Sequence, residues 1–180
     1  MEIEIRAKIN NLKEIESHFN EFKGVQILAQ EMRQVDTYLR HQADKEQLLV
    51  IRIRRKEKQA ILSFKAKSVD PKGDTAWHDY DTQISDPNKL EDILISSGYV
   101  YVCVIDKIRD SFKWQDFEIN IDNIRDLGLF IEIEAQGQEK DIEPKKKEMS
   151  RILEKLGIAP ADIIEKGYVA LMLEAMAVKR

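Results

Sequence analysis

Charged and apolar residues alternate along much of this chain, and single strand faces carry charges of both signs. Glu2, Glu4, Arg6 and Lys8 share one face of the first segment; Ile3, Ile5, Ala7 and Ile9 share the other. A period of two sustained from Glu2 to Ile9 specifies a β-strand. The same pattern returns in Leu48 to Arg55, where Ile51 and Ile53 oppose Arg52 and Arg54. It returns in Gln59 to Lys67, where Leu62 and Phe64 oppose Ser63, Lys65 and Lys67. Thr75 to Ser85 carries Asp79, Asp81 and Gln83 together, and Tyr99 to Phe112 carries Lys107, Arg109 and Ser111. Phe117 to Asp122 sets Glu118, Asn120 and Asp122 against apolar partners, and Phe130 to Glu134 does so with Glu132 and Glu134. Val35 to Leu39 is a shorter strand candidate.

Helices punctuate these strands. Leu12, Ile15, Phe19 and Phe22 fall at helical spacing after Asn11, a candidate cap, and Gly24 ends the run. Asp86-Pro87 opens a second helix, with Leu90, Ile93 and Leu94 as its expected buried stripe and Gly98 as its stop. A tail helix from about Pro144 buries Met149, Ile152, Leu153 and Leu156. A turn or short helix at Pro160 to Ile164 and a last helix from about Tyr168 follow. Asp70-Pro71-Lys72-Gly73-Asp74 and Asp126-Leu127-Gly128 read as turns. The order is strand, helix, four strands, helix, three strands, helices. Short turns between consecutive strands make the sheet mostly antiparallel. With 180 residues and no linker, a single domain over residues 1–180 is expected.

Composition sharpens the question. Charged residues make up 34% of the chain, against about 25% in ordinary globular proteins. Lys and Arg number 29 and Asp and Glu 33, for a net charge of −4. That balance argues against a generic nucleic-acid binder, which carries a basic excess, and the 43% hydrophobic content argues against disorder. Cys103 is the only cysteine, which excludes an internal disulfide and a Zn–Cys cluster. No secretory pattern follows Met1, and no apolar run approaches the roughly 18 residues of a membrane helix. A cytoplasmic protein with no nucleic-acid or membrane partner is expected. Neither G-x-x-x-x-G-K-[ST] nor G-x-G-x-x-G occurs, and His18, His41 and His78 are scattered.

The charged strand faces admit two readings. One is the wet side of an open antiparallel sheet. The other is a barrel that is apolar outside, under helices or at a subunit contact, and charged inside. A charged interior is unfavourable through desolvation unless it serves a ligand. Basic side chains there would grip phosphate oxygens, and carboxylates would hold Mg²⁺ or Mn²⁺. The alternation alone leaves both readings open.

Seven segments, in order, resemble those of the CYTH domain, the triphosphate tunnel metalloenzymes. Glu2-Ile-Glu-Ile-Arg6-Ala-Lys8 resembles the E-x-E-x-K signature, Val35-Asp-Thr-Tyr-Leu39 the D-x-Y motif and Leu49-Val-Ile-Arg-Ile-Arg-Arg55 the L-R-I-R-R strand. Leu62-Ser-Phe-Lys65 resembles L-T-Y-K, and Asp106-Lys107-Ile-Arg109 resembles E-K-x-R. Asp122 through Leu127-Gly128 to Glu132-Ile-Glu134 resembles D-x-x-x-x-L-G-x-F-x-E-I-E, and Gly167-Tyr168 resembles the C-terminal S-Y. The match spans residues 2 to 173 and is similar above all to the class IV adenylyl cyclase branch.

The resemblance implies an α+β fold with an eight-stranded, mostly antiparallel β-barrel, the triphosphate tunnel, and flanking helices. It implies a metal-dependent enzyme that converts ATP to cyclic AMP and pyrophosphate. The alternatives are a triphosphatase acting on inorganic triphosphate, thiamine triphosphate or a nucleoside triphosphate, and a non-catalytic polyphosphate or nucleotide binder. Mg²⁺ or Mn²⁺ would be held by Glu2, Glu4 and Glu132, with Asp122 and Glu134 assisting. The triphosphate would be held by Arg6, Lys8, Arg52, Arg54, Lys65, Lys107 and Arg109, with Arg6 and Lys8 as the catalytic pair. A homodimer is compatible with the apolar outer faces. Arg6 stands where the signature has Lys, Trp77 where an Arg is common, and Asp79, Asp81 and Gln83 where Glu is common.

Overall fold

The computed structural model describes residues 1–44, 49–66 and 76–178. Its element order is β1 (Glu2–Lys8), α1 (Leu12–Phe19), β2 (Gln26–His41), β3 (Leu49–Lys56), β4 (Gln59–Ala66), β5 (Ala76–Ile84), α2 (Pro87–Ser96), β6 (Tyr99–Trp114), β7 (Phe117–Ile124), β8 (Gly128–Gln136), α3 (Ile142–Lys155), β9 (Ile163–Ile164) and α4 (Tyr168–Val178). The expected turn at residues 70–74, with Leu48, Lys67 and Thr75, lies outside the described residues.

Every strand pairing is antiparallel, in the order β5-β4-β3-β2-β6-β7-β8-β1-β9. β5 also meets β1 at Glu2↔Trp77 and Ile3↔Ala76, which brings the ends of the eight-strand order together across a short seam. Beside that seam β9 pairs with Arg6 and Ala7. The expected eight strands are thus present, and a two-residue ninth joins them. Two isoleucines are too short a run to show a period in the sequence.

Both faces of the strands in one half of the barrel are buried, which an open sheet does not allow. On the outer face, Ile3, Ile5, Ala7, Ile119, Ile121, Ile131 and Ile133 pack under Ile15 of α1 and Met149, Ile152 and Leu153 of α3. On the opposite face Glu4, Arg6, Asn120, Asp122 and Glu132 are equally buried. The polar face of the alternation is therefore the inside of the barrel.

Two elements depart from the sequence reading. The strand expected at Val35 to Leu39 extends over all of β2. Its first half is largely exposed and pairs with β6 through register shifts at Ile27/Ala29 and Ala29/Met32. Bulges of that kind erase the period-two signal. The stripe expected on α2 is not buried: Ile93 is 53% exposed, and the helix contains no buried residue. Polar contacts fasten it instead. Glu91 takes an ion pair from Arg55 and a 2.5 Å hydrogen bond from the Tyr101 hydroxyl, and the Asp86 carboxylate caps Lys89 N–H at 2.9 Å. Gly98 ends α2 with φ +92, where a side chain would be strained and its Cβ would lie 3.1 Å from His41 Nε2.

Ile133, fully buried between β8 and α3, should lose about 2–5 kcal/mol of stability on truncation to Ala. Ile93→Ala on α2 should change stability by no more than about 0.5 kcal/mol. Urea unfolding of the two variants checks the contrast.

Candidate active site in the barrel interior

Strand register lines up the interior in rows. Ser111, Asn120, Glu132 and Arg6 lie opposite one another across β6, β7, β8 and β1. One row over, Met32, Arg109, Asp122 and Phe130 do the same. Asp36 faces Arg54, and Arg52 faces Ser63. Because alternation points every second side chain inward, these positions converge on one space.

The interior charges hold one another. Arg109 donates through Nε and Nη2 to both oxygens of Asp122, at 2.6 and 2.5 Å, and through Nη2 to Glu132 at 2.6 Å. Its Nη1 lies 3.6 Å from Glu134. Lys107 Nζ donates to Asp122 at 3.0 Å. Arg54 clasps Asp36 with two hydrogen bonds of 2.8 and 2.6 Å. Arg52 donates to Ser63 Oγ at 3.2 and 2.8 Å and lies 4.0 Å from the more exposed Asp81. Arg6 donates to Glu132 at 3.0 Å, to Glu4, and to the Lys166 carbonyl at 2.9 Å. Burial works against the Asp36 charge, but Arg54, with Arg52 and Lys107, overrides it and holds the carboxyl down to about 2. Burial, reinforced by the Arg109 charge, lowers Lys107, while Asp122 pulls it back.

Glu4, Glu132 and Glu134 bring one carboxylate oxygen each to within 4.8 Å of one another. Burial first, and then the like charges of Glu2, Glu132 and Glu4, push Glu134 up to about 8 against the pull of Arg109. Three oxygen donors forced together with one proton held among them suit a hard divalent cation, which would relieve their repulsion. Beyond this trio a cavity of about 420 Å³ opens, lined by the acids Glu2, Asp116, Glu118 and Glu134 and by Lys113 and Lys145. This is the acid-lined mouth of the tunnel.

The other end is closed by α4. Tyr168 and Met172 pack with Tyr38, Cys103, Ile105, Ile124 and Phe130, an apolar floor inside the barrel. The Tyr168 ring lies 5.2 Å from the Arg6 guanidinium and 5.3 Å from Lys107 Nζ. Cys103 is part of this floor, and burial raises its thiol to about 11.

The structure brings together Glu4, Arg6, Arg52, Arg54, Lys107, Arg109, Asp122, Glu132 and Glu134 of the residues singled out from the sequence. Glu2 lines the mouth rather than the carboxylate trio, and Glu134 takes its place there. Asp122 is engaged by Arg109 and Lys107. Lys8, at the end of β1, is exposed and is not drawn into the network. Lys65 is placed by its backbone alone, opposite Val50 and Asp79. Sequence reasoning set Ser63 and Asn120 on polar strand faces but assigned neither of them, nor Asp36 or Tyr168, a place in the site. Asp36 and Ser63 were legible, since each directly faces an arginine on the next strand. Tyr168 was not, because nothing in its local pattern aims the start of a helix into a barrel.

The structure is thus a nearly closed antiparallel barrel whose buried interior carries charges of both signs. The chain belongs to the CYTH domain family, whose family model matches residues 1–168. A Methanocaldococcus jannaschii protein that carries an adenylate cyclase name is 30% identical over 179 residues, covering 95% of this chain and 98% of its own. A solved Pyrococcus horikoshii structure is 25% identical, with a TM-score of 0.82 and full coverage of both chains. A Hippeastrum protein, named for an adenylyl cyclase and described by a dominant triphosphatase activity, shares the fold. Its TM-score is 0.66 at 16% identity, over 93% of this chain and 91% of its own. No helix among the described residues is long and apolar enough to cross a membrane.

Glu134 makes the metal-free protein pH-sensitive. Its folded value of about 8 lies above the ordinary 4.5, so the stability it contributes is full below pH 4.5 and is lost as pH rises toward 8. In metal-free buffer the urea midpoint should fall between about pH 5 and about pH 9. Glu134→Gln should flatten that fall. An equal fall in the variant would assign the effect to another group.

Proposed function

We propose that this chain is a metal-dependent enzyme acting on a triphosphate, with ATP cyclisation as the leading reaction. The observation that carries the reading is the carboxylate trio Glu4, Glu132 and Glu134 beside the buried cations Arg6, Lys107 and Arg109. Neither half of that pairing is useful to a plain structural core, because an apolar interior of equal volume is at least as stable.

Glu4, Glu132 and Glu134 would hold Mg²⁺ or Mn²⁺, with Glu2 and Asp122 nearby. Bound there, such an ion neutralises phosphate charge and orients the chain for in-line displacement. Arg52, Arg54, Lys65, Lys107 and Arg109 serve as the phosphate grip. Arg54, Lys107 and Arg109 are multidentate or freely rotating, so an incoming phosphoryl oxygen can replace the carboxylate that now satisfies each of them. Arg6 stays charged throughout, since Glu4 and Glu132 raise an already strong base against the effect of burial. It therefore moves no proton. Once Glu4 and Glu132 turn toward a cation, its donors are free for a phosphate oxygen. In cyclisation the ribose 3′-hydroxyl attacks the α-phosphorus, pyrophosphate leaves, and the cations stabilise the charge on the leaving group. The hydroxyl proton passes to one of the interior carboxylates. Lys8, exposed on its strand end, has no part in this step.

Terminal hydrolysis is the second reading. α4 closes the inner end of the tunnel with Tyr168 and Met172, which suits a short inorganic chain as well as a nucleotide entering tail first. The fold-related Hippeastrum protein's triphosphatase title supports keeping it.

Phosphate release and cyclic nucleotide formation, assayed side by side on ATP and tripolyphosphate with Mg²⁺ and with Mn²⁺, decide between the two. Glu4→Gln should weaken metal binding by at least about 10- to 100-fold and remove turnover, with the fold retained. Unchanged metal affinity in that variant would sink the metal assignment.

A further inference from the structure

Among the described residues the buried interior charges are held by one another or by neighbouring polar groups, so the groups that still lack partners point to what the tunnel is shaped to receive. Among the described residues three buried polar side-chain atoms have no hydrogen-bond partner: the Tyr168 hydroxyl, Asn120 Nδ2 and Gln34 Oε1. All three face the same interior. Asn120 lies opposite Glu132 and Ser111, and Gln34 lies opposite Lys107.

Tyr168 is the most informative of the three. Its ring needs no hydroxyl to do its packing. It meets Phe130 edge-on at 5.3 Å and sits between the Arg6 and Lys107 cations. Phenylalanine would make the same contacts without burying an unpaired polar atom, which is unfavourable. The neighbouring carboxylates do not serve the hydroxyl: Asp122 accepts from Arg109 and Lys107, Glu132 accepts from Arg6 and Arg109, and neither is hydrogen-bonded to Tyr168. Burial and the negative charges of Glu132 and Asp122 hold the phenol well above its ordinary range, so it remains a donor in need of an acceptor. The two cations flanking the ring would draw an anionic oxygen to that spot.

We propose that the Tyr168 hydroxyl is a substrate-binding donor, carried by α4 to the inner end of the tunnel, where it hydrogen-bonds a phosphoryl oxygen of a linear polyphosphate chain. This assignment rests on the triphosphate reading above and adds α4 to the binding machinery. The helix then does more than close the barrel: it supplies the neutral contact at the end of a charged site.

A hydroxyl kept for a ligand has a signature that a packing hydroxyl lacks. Tyr168→Phe should leave the melting temperature of the free protein unchanged or raise it. It should also weaken binding of inorganic tripolyphosphate with Mg²⁺ by about tenfold or more in calorimetry. Equal affinity in the variant overturns the assignment and leaves the triphosphate reading standing. A loss of affinity accompanied by a lower melting temperature marks a packing role and also overturns it. Failure of the wild-type protein to bind tripolyphosphate overturns both. A second measurement needs no variant. In protein labelled with [¹³Cζ]tyrosine, a phenol signal that stays protonated through the ordinary tyrosine titration near about pH 10 should shift on adding tripolyphosphate. If no such signal moves, Tyr168 is not a ligand.

Discussion

Arg109 ties three carboxylates together inside the barrel, and the rest of the structure is arranged around that contact. It meets Asp122 bidentately, Glu132 through Nη2 and Glu134 at longer range. Charges buried this deeply are tolerable only when paired and hydrogen-bonded. The pairing requires Arg109 opposite Asp122 on β6 and β7, and Arg6 opposite Glu132 on β1 and β8. A one-residue slip in any of these strands would turn the charges toward α1 and α3 and the isoleucines toward the tunnel. The apolar exterior and the ionic interior therefore enforce the same register from opposite faces.

That double constraint is why so much of the fold is legible in the sequence. Strands β1, β7 and β8 alternate cleanly because both faces are committed, one to helices and one to the tunnel. The pattern fades where one face is open to water, as in the first half of β2, where Ile27 is 61% and Leu28 52% exposed. It misleads at α2, whose spacing resembles a buried stripe although the helix is fastened through Glu91. Site residues were legible to the extent that strand periodicity dictates their direction. Alternation carries Glu4, Arg6, Arg109 and Glu132 into one space. It could not show that Glu134, rather than Glu2, completes the carboxylate trio, because that depends on the stagger between β1 and β8. It also gave no warning that Lys8 lies beyond the end of the buried row, or that Tyr168 reaches in from a helix.

The geometry also accounts for the departure of Arg6 from the family's lysine. Its guanidinium reaches Glu4, Glu132 and the Lys166 carbonyl at once. A fork of five fixed donors can span three acceptors on different elements, whereas an ammonium is a single point of charge. Arg6 thus links the carboxylate trio to the segment that leads into α4. The tunnel is asymmetric as a result. At one end, carboxylates face an open mouth; at the other, cations converge on an aromatic ring and an apolar floor. An extended polyanion with a cation at one end matches that polarity.

The most direct test is to locate the ion. Crystals grown with Mn²⁺ and tripolyphosphate, measured for anomalous scattering at the manganese edge, should show Mn²⁺ bound among the carboxylates of Glu4, Glu132 and Glu134. The phosphate chain should run from it toward Arg109, Lys107 and Tyr168. Manganese found only outside the barrel, with Arg6 and Arg109 still holding Glu132, would contradict the account.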